Sequence, residues 1–294
     1  MNSLSAQQKG SFYAIASGLC YGFIGYFGIS LMDEGLSVFN MLFWRFLVTT
    51  LFMLIMLIPQ YRILLKSFKE SLKALFYGMI LYSSSGILYF ISSQSIGTGL
   101  SMVVFFIYPA IVMLFNVIFY KAKISKIYYF AFSMILIGMV LLVDTHKFML
   151  DVFGIVLGIL SAILYAFYII ASKNLNISPT LSTLMVSLGC MLTCLISALI
   201  DSSFYIPSGF NNWVDISSMA LICTAFPILF LLEGLKYISS EKASILSVLE
   251  PVFVVILGII LLNEKVTGIR IIGIVIILSG ALMTLLPNKS KINE

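Results

Sequence analysis

The sequence predicts an all-α membrane protein with ten transmembrane helices, arranged as two inverted repeats of five helices each. Of its 294 residues, 61% are hydrophobic and only 10% are charged, and the mean hydropathy is +1.11. Continuous apolar runs of about 20 residues recur along the chain, which is the length an α-helix needs to cross a bilayer core. A weak internal repeat relates the two halves of the chain.

The ten predicted spans follow one another with short connections. A soluble domain of this length would need more polar surface than the composition provides. In the first half the spans are Phe12–Leu31, Phe39–Ile58, Lys73–Ser92, Gly97–Phe119 and Ile127–Val143. In the second half they are Val152–Ser172, Thr180–Ile200, Val214–Leu235, Ala243–Leu262 and Gly268–Leu286. The four cysteines fall inside spans, where we interpret them as small packing residues.

The distribution of lysine and arginine predicts the orientation of the chain. With ten spans, the two termini lie on the same side of the membrane. Thirteen basic residues fall on that side, three fall on the other side, and Arg45 lies within a span, which accounts for all 17. Basic residues accumulate on the cytoplasmic side of a membrane protein. We therefore expect a protein of the cell's inner (plasma) membrane with both termini in the cytoplasm and no cleavable signal peptide.

The internal repeat divides the chain into residues 10–144 and residues 152–287. Two offsets align equivalent residues of the two halves. At an offset of 142 residues the aligned pairs are Pro109 and Pro251, Lys123 and Lys265, Ile96 and Ile238, and Gly138 and Gly280. At an offset of 144 residues they are Gly10 and Gly154, Ser17 and Ser161, Tyr21 and Tyr165, and Phe23 and Phe167. Five spans are an odd number, so the second half enters the membrane from the opposite face. Such inverted repeats are typical of alternating-access transporters. The alternative is chance similarity between apolar segments.

Three segments resemble a known family. They are "FWRF" (Phe43–Phe46), "IYPAIVMLF" (Ile107–Phe115) and "SVLEPVFVVILGIILLNEK" (Ser247–Lys265). They are similar to the EamA family of the drug/metabolite transporter superfamily, and the resemblance extends over roughly Gly10–Leu286. It implies two EamA units of five helices and the movement of small metabolites such as amino acids, nucleobases or drugs.

The sequence departs from that pattern at two positions. Tyr108 aligns with Glu250, so the acidic residue occurs in only one half, and Glu233 stands where an apolar or neutral side chain is expected. Both positions bear on the charge of the substrate.

Glu250 is one of three ionisable residues predicted to lie within spans. Such groups are costly in lipid and by default face the interior of the helix bundle. Pro251 follows Glu250, and a proline within a helix removes an intrahelical hydrogen bond and can break the helix. The carboxylate could bind a cation or a proton, cap the interrupted helix, or form a structural salt bridge. We predict that Pro109 and Pro251 act as hinges or gates.

Arg45 and Glu233 are the other two ionisable residues within spans, and each could be a charge relay or structural. Arg45 could snorkel to the interface or fix a neighbouring helix, or it could attract a carboxylate or phosphate. Glu233 stands three residues before Lys236, a spacing that permits a helical ion pair.

Aromatic residues within the spans complete the predicted substrate site. We predict that Tyr21, Tyr82, Phe105, Tyr108, Tyr165 and Glu250 line a central cavity, partly because the family resemblance implies it. A pocket of rings suits a flat, amphipathic or cationic ligand. Each ring taken singly could equally be a packing residue or a lipid contact.

The sequence motifs favour a secondary transporter over other classes. A single histidine, His146, rules out a His-Glu-x-x-His metal site, and no nucleophile elbow or Walker loop occurs. We therefore expect no enzyme activity, no cofactor or metal and no nucleic-acid partner. The expected partners are a small organic substrate and the bilayer, with the protein a monomer or a homodimer. A channel and a non-transporting sensor or scaffold stay open as alternatives.

Overall fold

A computed structural model describes residues 5–58, 68–142, 151–262 and 267–285, and within these ranges the chain forms helices and no strand. The first half contains α1 (Ala6–Tyr21), α2 (Ile24–Asp33), α3 (Val38–Leu57), α4 (Phe68–Phe76), the π-helix π1 (Tyr77–Tyr82), α5 (Ser83–Ile96), α6 (Thr98–Phe105), α7 (Tyr108–Tyr120) and α8 (Lys126–Leu142). The second half contains α9 (Val152–Lys173), α10 (Pro179–Ile200), α11 (Phe210–Ala220), the π-helix π2 (Leu221–Ala225), α12 (Phe226–Leu235), α13 (Ser240–Ser247), α14 (Glu250–Leu262) and α15 (Gly268–Leu285).

Eight helical stretches among the described residues are long and apolar enough to cross a membrane. They are Ala6–Asp33, Val38–Leu57, Phe68–Ile96, Thr98–Tyr120, Val152–Lys173, Pro179–Ile200, Phe210–Leu235 and Gly268–Leu285. The predicted fifth span corresponds to the shorter helix α8, and the predicted ninth corresponds to α13 followed by α14. Val143, His146 and Leu286 lie outside the described residues. The all-helical membrane fold is therefore confirmed, while the number of ten spans stays a prediction.

Short polar residues start several of these helices. Ser37 accepts a hydrogen bond from the backbone N–H of Asn40 at 3.2 Å, and Ser178 accepts one from Leu181 at 3.3 Å. These caps satisfy N–H groups that have no partner in the first turn of a helix. Gly97 adopts a φ of +80° between α5 and α6, a conformation that favours glycine. The chain can therefore reverse direction there without a longer loop.

Two of the eight long helical stretches, Ala6–Asp33 and Thr98–Tyr120, and the run of α13 and α14 are interrupted near their middle. The first is interrupted after Tyr21, while α6 and α13 are each followed by a helix whose second residue is a proline. Pro109 and Pro251 thus occupy the first turns of α7 and α14, where the missing N–H costs no intrahelical hydrogen bond. By contrast, α9 is continuous. The proline positions are compatible with hinges, and that role stays a prediction.

The π-helices π1 and π2 begin 144 positions apart and were not apparent from the sequence. Both occur where helices of opposite halves touch. A Cβ atom on Gly78 of π1 would collide with the backbone of Val186, and one on Gly189 would collide with the backbone of Leu75. Small residues let helix backbones approach closely within a membrane. The contact between π1 and α10 therefore depends on these two glycines.

The two halves interlock through reciprocal helix pairs. Helix α1 contacts α12 and α5 contacts α9, while α3 contacts α10 and α8 contacts α15. Each pair joins one helix of the first half to one helix of the second. The interior of the molecule is therefore formed jointly by both halves.

Candidate functional site

A cavity lies in the interior and is lined by residues of both halves. Its lining consists of Tyr21, Ile24, Arg45, Phe46, Tyr82, Ser85, Gly86, Tyr89, Phe90, Phe105, Tyr108, Tyr165, Ser247 and Glu250. It encloses about 630 Å³ of space between atoms, its open mouth included. All six residues of the predicted substrate site, and Arg45, are in this lining.

Tyrosine rings form one continuous wall of this central cavity. The hydroxyl groups of Tyr21 and Tyr82 are hydrogen-bonded at 2.8 Å. The ring of Tyr165 lies 6.1 Å from that of Tyr82 and 4.8 Å from that of Tyr108, in the latter case edge to face. Tyr108 donates its hydroxyl to the carbonyl of Ser244 at 3.2 Å. The wall thus presents ring faces together with fixed hydroxyl groups, which suits an amphipathic ligand.

Glu250 is the first residue of α14 and is half-buried at the cavity wall. Among the described residues, no basic side chain lies within ion-pair distance of its carboxylate and none donates a hydrogen bond to it. The cap and the salt bridge considered from the sequence are therefore not formed in this part of the chain. The carboxylate faces the cavity with its acceptor oxygens available.

Arg45 is buried, with 3% of its surface exposed, and does not snorkel. Its Nε donates to the hydroxyl of Thr224, and its Nη2 donates to the carbonyl of Cys223 at 2.8 Å. Both partners belong to π2, so Arg45 fixes the neighbouring helix, as one of the sequence-based alternatives expects. A guanidinium group has five N–H donors. Those not used by π2 are available to a ligand.

Glu233 is the one ionisable residue of the three that lies outside the cavity lining. Its Oε2 is 2.8 Å from the Nζ of Lys236, and its Oε1 accepts a hydrogen bond from the hydroxyl of Tyr237 at 3.3 Å. The Lys236 side chain is 46% exposed. The geometry is that of a surface ion pair.

Helix α13 reaches the cavity at its last residue, Ser247, which is part of the lining. All eight residues of this helix are buried. The side-chain amide of Asn116 donates to Ser240 at 2.9 Å and to the carboxylate of Glu241 at 2.8 Å. These bonds fix α13 against α7.

Several lining residues were not predicted from the sequence. Tyr89 was one of many tyrosines in the spans, and Phe46 lies within the FWRF motif next to Arg45. Ser85 is also in the lining, and its hydroxyl donates to the carbonyl of Ser161 at 2.9 Å. From the sequence, Ser85 and Ser161 could have been recognised only as small polar residues in two spans that face each other.

Comparison with known proteins identifies the family. The pattern of the EamA-like transporter family matches residues 8–144 and again residues 152–286. The chain belongs to the EamA-like transporter family. This confirms the resemblance seen in the three sequence segments, and it makes the chain an integral membrane protein of a transporter family.

Relatives of this EamA-like protein are named as transporters without a stated substrate. YxxF of Bacillus subtilis (strain 168), named an uncharacterized transporter, is 25% identical over 301 residues, which cover 99% of this chain and 94% of that protein. An uncharacterized transporter of Archaeoglobus fulgidus is 29% identical over 150 residues, which cover 50% of this chain and 53% of that protein. One crystal structure superposes with a TM-score of 0.79 at 17% identity, over 93% of this chain and 95% of the other. That likeness shows a shared fold.

Proposed function

We propose that the protein is a secondary transporter that moves small organic metabolites across the cell's inner (plasma) membrane by alternating access. The observation that carries the proposal is the central cavity, because it places an arginine, a carboxylate with no ion pair or hydrogen bond among the described residues, and a wall of aromatic rings in one space. Apolar walls with a few polar groups at fixed positions are typical of small-molecule sites.

The two charged residues favour a zwitterionic substrate. Glu250 attracts an ammonium group, and the neighbouring tyrosine ring faces add cation–π attraction. Arg45 attracts a carboxylate through a planar fork of donors. An amino acid with an apolar or aromatic side chain combines these three features, so we propose this class first. Drug-like aromatic amines share the ammonium group and the ring but not the carboxylate.

The inverted arrangement of two five-helix units is part of the proposal. In its support, Gly10 lies against Ile238, and Gly154 lies against Ile96. The glycines are 144 positions apart and the isoleucines 142, which are the two offsets of the sequence repeat. We therefore propose ten spans, units at residues 10–144 and 152–287, and an axis of approximate two-fold symmetry in the membrane plane. The lysine distribution supports cytoplasmic termini.

Alternating access would require one end of the cavity to open as the other closes. We propose that α13 forms one gate, since it is wholly buried and its last residue, Ser247, lines the cavity. Pro109 and Pro251 would serve as the hinges, because each is the second residue of a helix that follows an interruption next to the cavity.

Transport in proteoliposomes tests the proposal. The purified chain would be screened by thermal shift against amino acids, nucleosides, polyamines and aromatic amines, because a ligand that binds the folded state raises the melting temperature. Radiolabelled hits would then be followed in uptake and counter-exchange. We expect saturable uptake that is accelerated by unlabelled substrate on the opposite side. Large unitary currents would instead identify a channel, and the absence of both flux and thermal shift would contradict a transport role.

A further inference from the structure

A second pocket lies where α9 ends, α10 begins and α12 ends, and it shares no residue with the central cavity. We name it the helix-end pocket. Its polar lining consists of Ser172, Lys173, Ser182 and Lys236, and its described lining contains no acidic side chain. Three helix ends meet there, and for membrane-spanning helices such ends lie near the interface with water.

We propose that the helix-end pocket binds a phosphate group, held by the two lysines and Ser182 and favoured by the partial positive charge at the start of α10. The N-terminus of a helix carries a partial positive charge and favours anions. Pro179 and Ser182, in the first turns of the 22-residue helix α10, both line the pocket. The two lysine side chains therefore place positive charge at the pocket, and the backbone at the start of α10 adds partial positive charge.

Ser182 is the observation that points to a ligand. Only 3% of its surface is exposed, and its hydroxyl has no hydrogen-bond partner among the described residues. A buried hydroxyl without a partner carries an unfavourable desolvation free energy, so such groups are rare in folded proteins. A phosphate oxygen in the pocket would accept this hydrogen bond.

The lysines retain donors for the same ligand. Lys173 donates to the carbonyls of Leu235 at 2.8 Å and Ile238 at 2.6 Å, which uses two of its three N–H donors. Lys236 pairs with Glu233 through one contact at 2.8 Å, and Glu233 is not part of the pocket lining. Each ammonium group can thus contact an anion without losing its present partner.

The remaining lining favours a lipid as the source of the phosphate. Leu175, Ile177, Leu232 and Leu235 share the pocket with the polar groups, so the site is amphipathic. Basic pockets between transmembrane helices near the interface suit the headgroups of anionic lipids. Free inorganic phosphate has the same charged group but gains nothing from the apolar wall.

Thermal unfolding of the full-length protein in detergent tests the site. Phosphatidylglycerol, phosphatidylcholine and inorganic phosphate would be titrated separately, and the melting temperature recorded; phosphatidylcholine carries the same phosphate, but the two lysines repel its choline cation. We expect phosphatidylglycerol to raise it at the lowest concentration. Ser182→Ala and Lys236→Gln should each raise the half-saturating concentration of phosphatidylglycerol about tenfold. A hydrogen bond to a charged group contributes a binding free energy that corresponds to about this factor.

Ser182→Ala also separates binding from structure. Removing a buried hydroxyl that has no partner should leave the melting temperature in phosphatidylcholine unchanged or slightly higher, while the response to phosphatidylglycerol weakens. Lys73→Gln is the matched control, because Lys73 is also a surface lysine paired with a glutamate three residues away and lies outside the pocket.

Each result supports or overturns the proposal. If inorganic phosphate alone gives the full stabilisation and both pocket variants lose it, the site binds phosphate from solution. If wild-type protein responds equally to the two lipids and not to phosphate, or if Lys236→Gln and Ser182→Ala titrate like Lys73→Gln, the proposal is wrong. None of these readouts depends on transport through the central cavity.

Discussion

Thr49 and Thr193 lie 144 positions apart, and each contacts a main-chain carbonyl beside a π-helix of the opposite half. Thr193 Oγ1 is 2.9 Å from the carbonyl oxygen of Met79 in π1. Thr49 Oγ1 is 2.9 Å from the carbonyl oxygen of Ala220, which precedes π2, and also 2.9 Å from that of Arg45. π-Helical segments disturb the regular i→i+4 bonding and are frequent at functional sites. The two threonines therefore stabilise equivalent irregular segments next to the cavity.

We expect Thr193→Val to lower the free energy of unfolding by about 1 kcal/mol, because valine keeps the shape but not the hydrogen bond. The Met79 carbonyl would lose one of its two side-chain donors and keep the other, Ser83. Thr50→Val is a matched control, since Thr50 is also a threonine within a helix, and its hydroxyl has no hydrogen-bond partner among the described residues. Thermal unfolding of both variants in detergent compares them. Equal melting temperatures would show that the Thr193 bond contributes nothing.

Gly78→Ala should destabilise the protein severely, because its Cβ would collide with backbone atoms of Val186 rather than with a flexible side chain. Cys190 also donates its Sγ to the Gly78 carbonyl at 3.2 Å, so movement of π1 would disrupt that bond too. Gly25→Ala is the control, because a Cβ there would meet nothing within 4 Å. Replacing a helical glycine by alanine in open space is favourable by up to about 1 kcal/mol. Folded yield and melting temperature distinguish the two, and a well-folded Gly78→Ala would contradict the close approach.

The sequence predicted the cavity lining more accurately than it predicted the helices around it. Ionisable residues are costly in lipid, so Glu250 could be assigned to the bundle interior from its residue type, while the assignment of Tyr82 to the cavity rested partly on the family resemblance. The π-helices could not be predicted, because one extra residue in a turn leaves the apolar pattern of a fully hydrophobic span unchanged. The partners of Arg45 depend on which helix lies opposite, and that information is absent from local sequence. In the sequence, only the three-residue spacing between Glu233 and Lys236 indicated that Glu233 lies outside the cavity.

Arg45→Gln should discriminate between substrates. The variant removes the cation proposed to bind a carboxylate, so we expect about tenfold weaker binding of amino acids. Amines that lack the carboxylate should bind as they do to the wild type. Because glutamine can replace only part of the contacts with Cys223 and Thr224, a lower melting temperature is expected as well. Competition for uptake by matched amino acid and amine pairs measures the effect, and an equal loss for both classes would assign Arg45 a purely structural role.

Glu250→Gln should reduce transport more than it reduces folding. The amide keeps the size and much of the hydrogen-bonding capacity of the carboxylate but removes its charge. No described residue forms an ion pair or a hydrogen bond with this carboxylate, but the buried Arg45 guanidinium shares the cavity and would lose the attraction of its negative charge, so we expect a modestly lower melting temperature. We expect at least about a tenfold lower flux for every substrate with an ammonium group, because each would lose its ionic partner in the cavity.

The control for Glu250 is Glu233→Gln, which neutralises a surface ion pair outside the cavity. Exposed pairs of this kind contribute roughly 0–1 kcal/mol, so both flux and stability should stay close to wild type. Uptake into proteoliposomes at several pH values, together with a melting curve of each variant, measures both properties. If Glu250→Gln transports at the wild-type rate with the same pH dependence, the carboxylate does not bind the substrate or a coupled proton. The aromatic wall and Arg45 would then have to account for recognition, and substrates without an ammonium group would become the first class to screen.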